Sequence, residues 1–314
     1  MKTTGVIVFG GSAGALNILQ GIVREFPENF PASVFVVLHV SPDAPSHLAE
    51  IINRAGPLLA AFAKDDEKMV PSRIYIAPPD RHLLISDGNV RLTRDPRENR
   101  SRPAIDPLFR SATRSYGRHV IAVLLSGLYD DGVQGLQVIS QRGGKVIVLK
   151  PDETSFPQMP ENAIKYDHPD FVLSASDIFP KLQQLVANSG SDPEMPTDKK
   201  EVSPNNESSG YVCPDCGGVL SEEGHQEIPH FRCRIGHAYS LNALLAGQDD
   251  ALEAALWAAV RSLQENAELK ERTAAMLERI GRDSNAARIR EDAKAQMQQA
   301  KLLRERIVKL QERP

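Results

Sequence analysis

The chain has 314 residues, room for one catalytic domain of ordinary size plus appendages. Its 37 Lys and Arg against 41 Asp and Glu leave a formal charge of −4, which argues against a general nucleic-acid binder. No run of about 18 apolar residues occurs, so no membrane insertion is expected, and Met-Lys-Thr-Thr leads directly into a strand pattern, so neither a signal peptide nor a location other than the cytoplasm is expected.

Val6-Ile-Val-Phe9 is a short apolar run that ends in Gly10-Gly11-Ser12-Ala13-Gly14, after which Leu16, Ile18, Leu19, Ile22 and Val23 recur at helical spacing. The pattern is buried strand, tight turn, helix. Gly10-x-Ser12-x-Gly14 matches a nucleophile elbow, in which small neighbours permit a strained turn. The same stretch also fits a Gly-rich phosphate or dinucleotide loop. The second strand, Val34–Leu38, ends in His39, where a dinucleotide site wants an acid for the ribose, and the Gly-x-Gly-x-x-Gly spacing is absent. A histidine at the end of the neighbouring strand suits a Ser–His pair, in which imidazole takes the hydroxyl proton and later returns it to the leaving group.

Further strands are expected at Ile74–Ala77, His119–Leu125 and Lys145–Leu149, with a small hairpin over residues 83–92. The run before Leu125 breaks into Ser126-Gly-Leu-Tyr-Asp130-Asp131-Gly132, ahead of another helix. One of the two acids can accept the His39 Nδ1–H, and the other, or both, can cap the helix that follows. Alternation of strands and helices over residues 1–188 predicts an α/β domain: a doubly wound, mainly parallel sheet with helices on both faces, its ligands at the carboxyl edge.

Gly-Gly-Ser-Ala-Gly, Leu38-His-Val, Ile74-Tyr-Ile-Ala-Pro-Pro-Asp-Arg-His82, Arg102-Pro-Ala-Ile-Asp-Pro-Leu-Phe-Arg-Ser111 and Leu125-Ser-Gly-Leu-Tyr-Asp-Asp-Gly132 occur in the order in which they stand in the CheB-type protein-glutamate methylesterases, which residues 1–190 resemble. The resemblance implies a serine esterase with Ser12, His39 and Asp131 as its triad and the Leu128 N–H in its oxyanion hole. It implies no catalytic cofactor, and a substrate that is a methylated receptor or another signalling protein, with glutamine deamidation as a related reaction. Leu128 and Tyr129 replace the usual Met and Gly of the chemotaxis members, and Ala15 a frequent second Gly. The receiver domain that precedes the chemotaxis enzymes is not expected here, since the residues before Val6 lead straight into the first strand pattern. For a substrate displayed on an acidic protein surface, Arg102 in its polar loop is the substrate-binding candidate; Arg81, His82 and Arg110 are secondary, each equally readable as a structural group.

Residues 189–210 are polar, rich in Pro, Ser and Gly, and read as a flexible linker. All three cysteines follow, in Cys213-x2-Cys216 and Cys233-x3-His237. That is zinc-ribbon spacing with four ligands and no open position, so residues 211–247 are expected to form a small module held by structural zinc, with His225 and His230 as lesser ligand candidates. Because the linker is polar, the module is expected to be separable from the catalytic domain. Residues 248–314 carry two apolar stripes, one through Leu252, Leu256, Val260 and Leu263, the other through Met297, Ala300, Leu303, Ile307 and Leu310, separated by Gly281-Arg-Asp-Ser-Asn285. They are expected to fold as a helical hairpin that self-associates or docks a signalling partner. The alternative to an esterase is a non-catalytic scaffold that retains the fold.

Overall fold

The structure is a computed structural model, and it describes residues 5–40, 46–188, 208–223 and 229–311. Most of the expected linker, residues 189–207, and His225 lie outside the described residues. The chain forms two compact units, residues 1–244 and 245–314.

In the first unit the elements run β1 (Val6–Gly11), α1 (Ala15–Arg24), β2 (Ser33–Leu38), α2 (Leu48–Ala55), β3 (Leu59–Phe62), β4 (Arg73–Ile76), β5 (His82–Ser86), β6 (Asn89–Thr93), α3 (Ile105–Tyr116), β7 (Val120–Leu124), α4 (Val133–Gln141), β8 (Lys145–Leu149), α5 (Gln158–Asp167), β9 (Phe171–Leu173) and α6 (Ala175–Asn188). Among the described residues, seven strands form one parallel sheet in the order β3-β4-β2-β1-β7-β8-β9, and β5 and β6 make the expected hairpin. Every residue of β1, β2 and β7 is buried, as continuous apolar strands of a parallel sheet require. Alternate side chains go to opposite faces. Ile7, Phe9, Val34 and Val36 pack with Leu19, Ile52 and Leu182 of α1, α2 and α6. Val6, Val8, Phe35 and Val37 pack with Leu108, Phe109, Leu136 and Met159 of α3, α4 and α5. Burying each such side chain contributes about 1.5–3 kcal/mol before entropy is counted. The short strands β3 and β9, both at sheet edges, were not expected; at 4 and 3 residues they carry too little pattern to stand out.

The first strand is the switch point: the chain winds outward from β1 in both directions, so the ends of β2, β1 and β7 open side by side at the carboxyl edge.

After residue 207 a four-stranded antiparallel sheet follows, β10 (Ser208–Val212), β11 (Val219–Glu223), β12 (His230–Cys233) and β13 (Ala238–Ser240). Its first strand starts at Ser208, inside the stretch expected to be linker. Its core is small: Leu220, Phe231, Tyr239, Ala243 and Leu244 around Cys213 and Cys233.

Two long helices, α7 (Leu241–Arg279) and α8 (Asp283–Gln311), complete the chain. Gly281, with φ of 72°, ends α7 in a Schellman turn, with Gly281 N–H on the Glu278 carbonyl at 3.0 Å and Arg282 N–H on that of Leu277 at 2.9 Å. Arg290 reaches Glu271 and Glu278 and Lys270 reaches Asp292, so the helices run antiparallel in contact. From residue 248 onward, the buried positions among the described residues are Val260, Ala267 and Ala274 on α7 and Ala286, Ala293, Ala300 and Ile307 on α8, each series stepping by seven residues. Leu252 and Met297, expected in the stripes, are exposed, because alanines allow closer helix approach than leucines and take the seam.

Gly10 sits where α3 crosses β1, and a Cβ there would collide with Ile105 Cγ2 and lie 3.1 Å from Phe109 Cζ. Gly10→Ala should lower stability by about 1–3 kcal/mol through this overpacking, read as a lower urea midpoint with an unchanged slope.

Candidate active site

The turn after β1 places Ser12. Gly14, with φ of 77°, starts α1 without a side-chain cap, a conformation that disfavours any residue with a Cβ. The Ser12 N–H donates to the Ser126 carbonyl at 2.8 Å, and Ser126 Oγ donates to that of Ala13 at 2.8 Å, tying the turn to the loop after β7. A Cβ on Gly127 would lie 2.9 Å from Ser12 Cβ, so the two loops touch. On the other side, Gly11 pairs with Leu38 and the His39 N–H donates to the Gly11 carbonyl at 3.1 Å, so strand register sets His39 beside Ser12.

His39 Nε2 donates to Asp131 Oδ2 at 2.8 Å. The expected contact was through Nδ1; the structure uses the other ring nitrogen and leaves Nδ1 as the nitrogen not engaged by the acid. Asp131 is 2% exposed. A buried carboxylate costs several kcal/mol unless it is partnered, and here every partner is a donor. Oδ2 also accepts the Ile105 N–H at 2.7 Å, while Oδ1 accepts the Asp106 N–H at 3.3 Å and Asn99 Nδ2 at 2.9 Å. The first two donors are the open amino end of α3, where the helix dipole favours a negative charge. Burial works against the Asp131 charge, but the His39 and Asn99 hydrogen bonds and the Ile105 N–H outweigh it and hold its pKa below the ordinary carboxylate value.

The reverse holds one residue into α3. Burial and the neighbouring Asp131 charge push Asp106 well above the usual carboxylate range. Asp106 accepts the Gly135 N–H at 2.7 Å and Asn99 Nδ2 at 2.9 Å. Asn99 thus bridges the two acids, and no sequence pattern marked it. Its φ of 48° fits the tolerance of Asn for the left-handed region.

Asp130 faces elsewhere. Its carboxylate accepts from Ser240 Oγ and, at 3.1 Å, from Asn242 Nδ2 at the start of α7. The cap expected of this Asp pair is realised by Asp131, on α3; Asp130 instead accepts from side chains at the start of α7, whose Ala243 N–H is taken by Ser240 Oγ.

In the loop after β7 the Gly127 N–H is taken by the Phe156 carbonyl at 3.0 Å and the Tyr129 N–H by Gln158 Oε1 at 2.8 Å. Among the described residues the Leu128 N–H between them has no acceptor. Leu128, Tyr129 and Phe156 form an exposed apolar rim here, and Met159 lies buried beneath Gly127.

The arginine and histidine candidates are occupied within the fold. Arg102 Nε and Nη2 both donate to Asp80 Oδ1, at 2.9 and 2.6 Å, and Nη1 reaches the Asp95 carbonyl at 2.9 Å. Arg110 grips Glu98 through two bonds of 2.8 and 2.7 Å. His82 is buried, accepts the Ala104 N–H at Nδ1 and donates from Nε2 to the Pro96 carbonyl; burial lowers its pKa. Arg81 is half-buried.

In the C-terminal sheet, Cys213, Cys216, Cys233 and His237 converge, with all four ligand atoms within 4.8 Å of one another. Cys216 Sγ and Cys233 Sγ are 3.7 Å apart, and His237 Nδ1 is 3.7 and 3.5 Å from the sulfurs of Cys213 and Cys233. A zinc tetrahedron with ordinary bond lengths needs about 3.8 Å between sulfurs and about 3.6 Å between sulfur and nitrogen, so these residues fit that ion. His230 is buried away from the cluster on β12, with Glu223 at 3.9 Å.

The module is not separate from the catalytic sheet. The Ala238 N–H donates to the Arg97 carbonyl at 3.2 Å, the Asn99 N–H to that of Ala238 at 2.8 Å, and the Ser240 N–H to Asn99 Oδ1 at 2.8 Å. Arg232 approaches Glu98 at 3.9 Å. The expectation of separability rested on the linker; these contacts come from the folded strands and bypass it.

The profile of the CheB methylesterase family matches residues 7–182, more than half the chain, and the chain belongs to that family. It is 34% identical over 185 residues to a protein-glutamate methylesterase/protein-glutamine glutaminase of Thermotoga maritima, covering 58% of this chain and 54% of that one. It is 33% identical to a putative enzyme of the same name from Leptospira interrogans, covering 57% and 94%. The crystal structure of the Thermotoga maritima CheB methylesterase catalytic domain superposes with a TM-score of 0.55 at 34% identity, over 58% of this chain and 98% of that one. The chain spans about half the length of several curated relatives it matches, among them that of Anaeromyxobacter dehalogenans, at 53%.

Because burial and the Asp131 charge raise the pKa of Asp106 in the folded chain above its unfolded value, this group makes stability fall as pH rises above the ordinary carboxylate range. Asp106→Asn, neutral at every pH, should shrink that fall. Urea midpoints measured from pH 5 to 8 should converge for the variant and keep sloping for the parent.

Proposed function

We propose that the chain is a serine hydrolase that cleaves glutamyl methyl esters on a signalling or chemoreceptor protein, with Ser12, His39 and Asp131 as its catalytic triad. The observation that carries this is the bond between His39 Nε2 and the buried, ionised Asp131, on the strand next to Ser12. His39 Nδ1 accepts the Ser12 proton as Oγ attacks the ester carbonyl, and Asp131 stabilises the imidazolium that forms. The oxyanion is met by the Leu128 N–H and the uncapped start of α1. As the tetrahedral intermediate collapses, the C–O bond to methoxide breaks and His39 Nδ1–H protonates it, releasing methanol. Water, deprotonated by His39, then attacks the acyl-serine and frees the glutamate carboxylate and Ser12. With a glutamine side chain the same sequence releases ammonia.

The exposed Leu128, Tyr129 and Phe156 rim suits a side chain carried on another protein's surface, with the apolar methyl ester entering between them. Arg102, held by Asp80, is assigned to shaping the loop of residues 94–102 and not to gripping substrate. Cys213, Cys216, Cys233 and His237 bind one structural zinc. Bound there, zinc supplies cross-linking of two tight turns in a segment with little core of its own.

Two measurements test this. Methanol release from methylated chemoreceptors should fall by several orders of magnitude in Ser12→Ala and His39→Ala, the double variant being little worse, and by about 10⁴-fold in Asp131→Asn. Equal turnover in Ser12→Ala sinks the assignment. The purified protein should carry about one zinc per chain by elemental analysis, and Cys213→Ser or Cys233→Ser should release it.

A further inference from the structure

Asn99 is held from two directions. Its Nδ2 donates to Asp131 and to Asp106, each at 2.9 Å. Its Oδ1 accepts the Ser240 N–H and its own N–H donates to the Ala238 carbonyl. With the acceptor end of the amide engaged by Ser240, the donor end is turned onto the two carboxylates. The backbone needs the same support. Asn99 and Arg100 have φ of 48° and 66°, sparsely populated conformations that persist only where their surroundings impose them. Ala238 and Ser240 belong to β13, which begins directly after the ligand His237, and the Cys233 N–H donates to the His237 carbonyl at 2.9 Å. Ala238, Ser240, Cys233 and His237 all lie beyond residue 182, where the family match ends.

We propose that Asn99 is a positioning residue for the Asp131–His39 pair, and that the metal-loaded Cys/His module holds it in place through Ala238 and Ser240, so that the metal state of the module sets the turnover at Ser12. Loss of the metal loosens the turn between Cys233 and His237 and, with it, the start of β13. Residues 97–100 then lose their bridge to Ala238. Asp131 loses one of its donors, and His39 its fixed orientation. Asn99 is 7% exposed, so it acts through Asp131 and not on substrate. For its kinetic readout alone, the proposal rests on the esterase reading above.

The experiment uses the full-length chain in four states: parent and Asn99→Gly, each zinc-loaded and chelator-stripped. Glycine accepts the left-handed backbone and removes only the amide. Loss of a hydrogen bond to a charged group predicts that kcat of loaded Asn99→Gly falls about 10- to 100-fold with KM little changed. Stripping the parent should lower kcat by a comparable factor, reversed by adding Zn²⁺. Stripping Asn99→Gly should add little, since the two perturbations act on one element. The downfield proton resonance of His39 Nε2–H should move in all three perturbed states. Full turnover and an unmoved resonance in the stripped parent overturn the proposal. So does zinc loss that lowers Asn99→Gly by the whole factor seen in the parent. If the loaded parent does not hydrolyse glutamyl esters, the esterase reading fails, and the resonance, which needs no substrate, still decides this one. Should Asn99→Gly fail to fold by circular dichroism, Asn99→Asp keeps the acceptor for Ser240 and replaces the donor to Asp131; full turnover there overturns the proposal equally.

Discussion

A single buried negative charge organises the site. Asp131 is removed from water at the end of the central strands, and an isolated carboxylate there would simply take up a proton. It stays ionised because donors from three separate segments converge on it: the amino end of α3, the Asn99 amide, and the His39 ring. Each donor fixes something beyond the charge. The α3 end must approach β1 closely, which is why Gly10 cannot carry a Cβ. The imidazole must stand at the end of β2, which fixes its place beside Ser12. The same charge, together with burial, pushes the pKa of Asp106 well above the carboxylate range, since two ionised carboxylates bridged by one amide would repel.

Among the described residues, the polar contacts between the loops at the edge of the parallel sheet and the Cys/His sheet include a two-bond bridge from residues 97–99 to Ala238, the Ser240 contacts, and Arg232 near Glu98. Such contacts contribute through geometry more than through apolar area, because each buried polar group on one side is satisfied only when the other side is present. Glu98 makes the point. It is buried, and its pKa stays below the ordinary value, against burial, because Arg110 from α3 and Arg232 from β12 both face it.

What was legible in the sequence follows from periodicity and spacing. The apolar runs before Ser12, His39 and Ser126 locate three strand ends, and a parallel sheet wound from a central strand sets such ends together. The Cys-x2-Cys and Cys-x3-His pairs needed only their spacing. Asn99 was not legible, since a single polar residue in Asp-Pro-Arg-Glu-Asn-Arg belongs to no pattern, and its partners stand 7, 32 and 141 positions away. The hairpin seam was legible in part: Val260, Ala300 and Ile307 of the expected stripes are buried in it, but Ala267, Ala274, Ala286 and Ala293, which complete the heptad spacing, are not apolar enough to stand out. The choice of Nε2 over Nδ1 in His39 depends on where the ring enters relative to the acid, which strand order leaves open.

Asp130 and Asp131 show why two adjacent carboxylates need not be alternatives. In the extended or turn backbone that joins a strand end to the next helix, neighbouring side chains leave on different sides. Asp131 turns toward α3 and the end of β2. Asp130 turns toward Ser240 and Asn242 and accepts from both side chains, holding Ser240, whose Oγ caps the Ala243 N–H at 3.1 Å. One residue therefore holds the imidazole and the next holds the start of the C-terminal helix, with a single peptide unit between the two tasks. Burial raises the Asp130 pKa despite its two side-chain donors, whereas the donors around Asp131 outweigh burial and lower its pKa. The difference between the acids lies in the donors around them, and one set of those donors exists only when the segment beyond residue 237 is folded onto this edge of the sheet.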